Sequence, residues 1–306
     1  MTFNENLPID PGRASSGGGP GRNGKLALGG GAGGLIVLVL ALLMGGDPGS
    51  TLGQFTGAQD VQTSPTADTP EHCRTGADAN TYVDCRVVLT AQSLDAVWGQ
   101  ELPDQTGVTY EPPGLRLFTG SVSTGCGYAT SEVGPFYCPA DRTAYFDVGF
   151  FQELVDRFGA TGGPLAQEYV VAHEFGHHIQ TLLGDIGRAR QDPQGPESGA
   201  VRTELQADCY AGMWAHYADR TPAPGSDTPF LQPLDDVDIG DALSAASAVG
   251  DDRIQESVQG RVNPEVWTHG ASEQRQGWFL AGYRTGEVRS CDTFSATDLS
   301  NPADLR

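Results

Sequence analysis

His173, Glu174 and His177 stand in the order HExxH within the run PLAQEYVVAHEFGHHIQTLLG that begins at Pro164. Good helix formers and apolar residues at three- and four-residue steps mark this run as an α-helix. Residues four apart share a helix face, so the two imidazoles can hold one zinc ion. Glu174, beside the first histidine, is placed to take a proton from a water at the open side of such a metal. Val170, Val171 and Ala172 before the motif and Ile179, Leu182 and Leu183 after it make the helix a buried one. Ionisable groups on a buried helix are costly unless something pairs them, and a metal would do so. The plain alternative is histidines satisfied by core hydrogen bonds. His178 points roughly 100° away from His177 on the helix, which suits a hydrogen bond within the core rather than ligation.

Two histidines leave a zinc site short of its usual three protein ligands. The next strong helical pattern, VRTELQADCYAGMWAHYADR from Val201, carries Glu204 and Asp208 four residues apart and therefore on one face. Glu204 would complete the ligand set, and Asp208, one turn on, would accept the ring N–H of a ligand histidine and fix its tautomer. A solvated acidic face is the plain alternative. Ala207, Ala211 and Gly212 are small enough to let another helix come close. The chemistry implied is zinc-assisted hydrolysis of a peptide bond with Glu174 as general base. A zinc amidase acting on cell-wall peptides would use the same centre. A catalytically inactive, zinc-stabilised tethered assembly protein would more commonly show a closed, four-coordinate site.

The elements that must position these residues follow from the patterns around them. Residues 85–102 read as a helix with Val88, Leu94, Val97 and Trp98 turned inward. Residues 115–118 and 143–147 read as strands, and the Gly- and Pro-rich stretch 126–138 between them as a looped excursion. A further helix starts at Phe150 and ends at Gly159, and a polar gap over 185–199 separates the two metal helices. Helix, small sheet, then helices is an α+β pattern. Asp251 and Asp252 follow a helix expected to end at Gly250, where capping or a turn explains them.

Residues 1–25, rich in Gly, Pro, Ser and Asn, read as a disordered cytoplasmic tail. Residues 26–46 carry no charge and include LIVLVLALLM, which suits one transmembrane helix. Arg13, Arg22 and Lys25 precede the span and Asp47 follows it, so the expected topology is single-pass with the N-terminus cytoplasmic and the rest extracytoplasmic. A cleaved signal peptide is the competing reading, but Gly45, Gly46, Asp47 and Pro48 offer no A-x-A site. Residues 47–70 read as a flexible linker and 71–306 as the extracytoplasmic domain.

The chain has a net charge of −21, and Lys25 is its only lysine. That balance argues against nucleic acid or an anionic lipid surface as partner, since both need clustered positive charge. Six cysteines outside the membrane suggest disulfides; of the fifteen pairings formally possible, the natural ones are Cys73 with Cys85 and Cys126 with Cys138, each closing a short loop, leaving Cys209 with Cys291. A second zinc site lacks the close CxxC doublets it usually shows.

HEFGHHIQTLLG followed by RTELQADCYAGMWAH resembles the bacterial neutral zinc metallopeptidases, and the likeness extends to CGYATSEVGPFYCPADRTAYFD, DIGDALSAASAVGDDRIQ and THGASEQRQGWFLAGY. It implies a mainly helical, zincin-like metalloprotease domain with Zn2+ as cofactor and a peptide or protein as substrate. Glu204 to Asp208, read as ExxAD, is also similar to the third-ligand helix of the gluzincins, including the CAAX prenyl proteases and the HtpX heat-shock proteases. In those the glutamate binds zinc and the aspartate supports it. Those proteases carry a threonine and histidine with an arginine six residues after the histidine, and Thr268, His269 and Arg275 repeat the spacing. The resemblance implies His269 as oxyanion donor and Arg275 as a group that orients nearby acids. Gly270 stands where those proteases have proline, and they have several membrane spans.

Overall fold

The computed structural model describes residues 2–14 and 71–305. The transmembrane helix and linker expected over 26–46 and 47–70 lie outside the described residues, among which no helix is long and apolar enough to cross a membrane. The described part is mainly helical with small sheets, an α+β arrangement.

In chain order the helices are α1 (Gly76–Thr81), α2 (Val83–Thr106), α3 (Phe150–Asp156), α4 (Pro164–Leu183), α5 (Gly199–Ala218), α6 (Asp236–Ala248), α7 (Asp251–Gln259) and α8 (Ser272–Thr285). Between α2 and α3 run β1 (Gly114–Phe118), β2 (Ser121–Thr124), β3 (Gly127–Thr130), β4 (Phe136–Cys138) and β5 (Thr143–Asp147). β5 is central in a three-stranded sheet, parallel to β1 and antiparallel to β4, and β2 and β3 form a separate hairpin. The stretch expected to be a loop thus contains β3 and β4 and, with β2 just before it, a hairpin. Cys126–Cys138 ties the hairpin's turn to β4.

α4 starts with Pro164 in its first turn, where the missing N–H has no partner to lose, and ends at Gly184 in the left-handed conformation. Ser198 caps α5 by accepting from the Val201 N–H. These two helices and α8 pack backbone to backbone through small residues. A Cβ on Gly176 of α4 would lie 2.9 Å from the Ala207 carbonyl oxygen of α5, and one on Gly282 of α8 would lie 1.9 Å from the Cys209 carbonyl oxygen. Gly212 meets the Phe279 carbonyl at 2.0 Å in the same sense. The core around them includes Trp98, Tyr169, Phe175, Tyr210, Trp214 and Phe279, all nearly inaccessible to solvent. Cys209–Cys291 fastens α5 to the C-terminal segment, and Cys73–Cys85 joins the start of α2 to the segment before α1. All three disulfides are the pairs expected from the sequence.

Residues 2–14 correct the expectation of a disordered tail. Phe3 is fully buried and bridges to Leu231, the Asn4 N–H donates to the Phe230 carbonyl at 3.0 Å, and the Ile9 N–H donates to the Arg74 carbonyl at 2.9 Å. Asn80 exchanges side-chain hydrogen bonds with the Phe3 backbone, and the Thr2 hydroxyl donates to buried Glu168 of α4. Burial of Phe3, Leu7 and Ile9 together with these paired backbone groups offsets the cost of ordering a short segment.

Candidate metal centre

α4 and α5 bring His173, His177 and Glu204 together, with ligand-capable atoms all within 4.8 Å of one another. Nε2 of His173 lies 3.2 Å from one Glu204 carboxylate oxygen and Nε2 of His177 lies 3.5 Å from the other. All three side chains are buried. The outward-facing nitrogens are engaged elsewhere: His173 Nδ1 is 2.8 Å from Asp208 Oδ1, and His177 Nδ1 is 2.8 Å from Gln180 Oε1. Gln180 is itself fixed by donating to the Thr203 carbonyl at 2.6 Å and to Gln206 Oε1 at 3.0 Å. With both Nδ1–H groups donating outward, both Nε2 lone pairs face Glu204, which is the tautomer a metal needs. Two imidazoles and one carboxylate converging this way are a donor set that suits zinc.

Asp208 is fully buried and saturated. It accepts from His173 Nδ1, from the Tyr169 hydroxyl, and from Arg275 through Nε at 2.8 Å and Nη2 at 2.9 Å. Arg275 also donates to the Tyr169 hydroxyl at 3.1 Å and to the Val249 carbonyl at 3.3 Å. Burial opposes charge on Asp208, but Arg275 and His173 outweigh it and hold the carboxyl below its ordinary range. Burial likewise opposes a charged His173, yet Asp208 and Glu204 raise its pKa to about 9. Carboxylates on both sides of the ring thus favour a cation at His173, and a metal would take the place of the proton on the neutral imidazole. Glu204 behaves in the same sense: burial alone would raise it, and the histidines bring it well below the usual carboxylate range. Glu174, 4% exposed and lining a cavity with His173 and Glu204, is raised by burial, with His177 and His173 pulling it partly back.

His269 lines that cavity with Glu174 and Glu204. Its ring is set by Asp251, whose Oδ1 lies 3.2 Å from His269 Nδ1. The other oxygen, Oδ2, accepts from the backbone N–H groups of Thr268, His269 and Gly270 at 2.7, 2.7 and 3.1 Å. Asp251 therefore does more than cap a helix or form a turn, the role its sequence context suggested. It stands in the first turn of α7, 2% exposed, and gathers the whole 268–270 segment. Gly270 has φ of +89°, closed to proline, and uses its N–H. The departure from the proline of the membrane proteases thus has a local reason. Burial opposes charge on both partners, but each offsets it for the other, so His269 is raised and Asp251 lowered.

His178 lies apart from this centre, as expected. Its Nδ1 is 3.0 Å from the Tyr137 hydroxyl and its Nε2 is 2.6 Å from the Glu111 carbonyl oxygen. Burial brings its pKa down to about 4, so it is a neutral core group. A second cluster, His72 and Asp84 beside Cys73 and Cys85, has its sulfurs joined in a disulfide and offers no thiolate. Three partners lay beyond the sequence reading. Gln180 sits one turn from His177 and was open to detection by spacing, whereas Tyr169 and Asp251 reveal themselves only through contacts with distant residues.

The family model described as "Putative neutral zinc metallopeptidase" matches residues 4–294. The chain belongs to this family. Among its relatives, an uncharacterized protein of Mycobacterium tuberculosis is 58% identical over 259 residues, covering 85% of this chain and 86% of the relative. Uncharacterized protein YpfJ of Escherichia coli is 39% identical over 288 residues, covering 92% of this chain and 94% of the relative. No solved structure matches the chain significantly.

Proposed function

We propose that this chain is a zinc-dependent peptidase with a zincin-like catalytic domain. The observation that carries the proposal is the convergence of His173 Nε2, His177 Nε2 and the Glu204 carboxylate, each imidazole aimed by a partner on its other nitrogen. A zinc ion held there would supply Lewis acidity, lowering the pKa of a water and polarising a substrate carbonyl. Glu174 is the general base: it takes a proton from water and returns it to the leaving amine. His269, held by Asp251, donates a hydrogen bond to the developing oxyanion. Asp208 holds the tautomer of His173, and Arg275 neutralises Asp208 and locks it in place.

Peptides or proteins are the substrates this reading implies, and the family assignment supports it. The three disulfides support an oxidising, extracytoplasmic compartment for the domain. We place residues 2–14 in that same compartment, and the uncharged, apolar 26–46 stretch in association with the membrane. The test is Glu174→Gln: the variant should retain zinc while peptide hydrolysis falls by about two orders of magnitude or more. Undiminished hydrolysis would remove Glu174 from the role of base.

A further inference from the structure

One cavity borders the metal centre from the side of His173 and Glu174, with about 730 Å3 of empty space including its open mouth. Away from the metal-side groups its wall is built from three separate parts of the fold. Val133 and Pro135 come from the segment between β3 and β4, Phe150 and Phe158 from α3 and its end, and Val249 and Ile254 from the α6–α7 junction. Aliphatic and aromatic faces meet there next to the groups that would carry out hydrolysis.

The polar groups on this wall are already committed. Arg275 lines the cavity, but Nε and Nη2 donate to Asp208, Nη2 also to the Tyr169 hydroxyl, and Nη1 to the Val249 carbonyl. The Tyr169 hydroxyl donates to Asp208 in turn. The guanidinium that lines the cavity therefore offers no free fork to an acidic side chain, and Glu174 and Glu204 stand on the metal side of the same space. A charged side chain pushed between the rings and aliphatic groups would lose its hydration without gaining a partner. A large apolar side chain would exchange water for carbon contacts.

We propose that this cavity is the specificity subsite of the enzyme, and that it takes a large aliphatic or aromatic side chain of the residue adjacent to the cleaved bond. The ligand's being a peptide rests on the peptidase reading; the apolar character of the pocket does not. Ile254, half-buried on α7 and outside the catalytic group, is the residue through which the pocket is most simply altered. Changing one apolar contact in such a pocket is worth about ten- to two-hundred-fold in discrimination.

The test uses the zinc-loaded full chain and a series of peptides that differ at one position, bearing Leu, Phe, Asp or Lys. Cleavage is mapped for the wild type, and binding of the same peptides is measured with Glu174→Gln. Leu and Phe peptides should be cleaved beside the apolar residue, and should bind Glu174→Gln about tenfold or more tightly than the Asp and Lys peptides. Ile254→Lys should reverse the order in favour of Asp, and Ile254→Val should keep it. Equal binding of all four, or an unchanged order in Ile254→Lys, would overturn the subsite. Apolar-selective binding without any wild-type cleavage would support the subsite and overturn the peptidase reading.

Discussion

Gly176 lies against Ala207 so closely that a Cβ added to the glycine would sit 3.0 Å from the Ala207 Cα and 2.9 Å from its carbonyl oxygen. Gly176 falls between Glu174 and His177, and Ala207 between Glu204 and Asp208, so α4 and α5 meet backbone to backbone within the stretches that carry the proposed site. Because the obstacle is backbone, no rotamer change can relieve it. Gly176→Ala should cost about 1–3 kcal/mol in stability. Zinc affinity should fall alongside, as the carboxylates move away from the imidazoles. Denaturation curves and zinc titration of the variant measure both, and wild-type values for both would show that the contact is not needed.

Asp251 is expected to matter for His269 and not for the metal. Asp251→Asn removes the charge that raises His269 against the effect of burial. His269 donates through Nε2 while protonated on both nitrogens, so activity dependent on it is present below its pKa and lost as pH rises through it. In Asp251→Asn that basic limb should move to lower pH, and activity at neutral pH should fall about 10–100-fold with zinc content unchanged. A pH–rate profile identical to wild type would contradict the pairing.

Glu168 is a fully buried carboxyl in contact with the Thr2 hydroxyl, and burial raises its pKa from 4.5 to about 7. The folded state thus prefers the protonated form. Its share of stability is complete below pH 4.5, declines as pH rises toward 7, and is lost above that. Glu168→Gln cannot ionise, so its stability relative to wild type should increase by roughly 3 kcal/mol between pH 4 and pH 8. Urea midpoints at the two pH values check this, and a constant difference between the proteins would contradict it.

Residues 2–14 should behave as part of the domain. Their removal exposes the core that Phe3, Leu7 and Ile9 cover, at roughly 1.5–3 kcal/mol for each fully buried large side chain. Deletion of 2–14 should lower the thermal midpoint markedly. An epitope tag at the N-terminus should be accessible from the same side of the membrane as one at the C-terminus. Protection of the two tags from opposite sides would contradict the packing of this segment.

The site was legible where chemistry is encoded locally. An i,i+4 pair of histidines and an i,i+4 pair of carboxylates declare their faces without any knowledge of tertiary structure, and the small residues at Ala207 and Gly212 announce close helix packing. His269 and Arg275 were reachable only by likeness to other proteases, because nothing in the local pattern at 268–275 says which surface it meets. Asp251 was hidden further, since its partners at 268–270 lie 17 to 19 residues away and its own position in the first turn of α7 already explains an acid. The β2–β3 hairpin was missed because glycines, prolines and cysteines between 120 and 139 carry no strand periodicity. There the order comes from cross-strand pairing and a disulfide. Residues 2–14 failed for a similar reason: their partners at 74–80 and 229–231 are remote in sequence, and composition alone reads as a tail.

The central claim, that two imidazoles and a carboxylate from different helices hold one metal ion, is tested most directly by zinc content. Elemental analysis of the folded protein should find one zinc per chain in the wild type, essentially none in His177→Ala, and an affinity lowered by two orders of magnitude or more in Glu204→Gln, roughly the loss of one charged ligand bond. A folded wild type that binds no zinc, or a Glu204→Gln variant that binds it as tightly as wild type, would contradict the account.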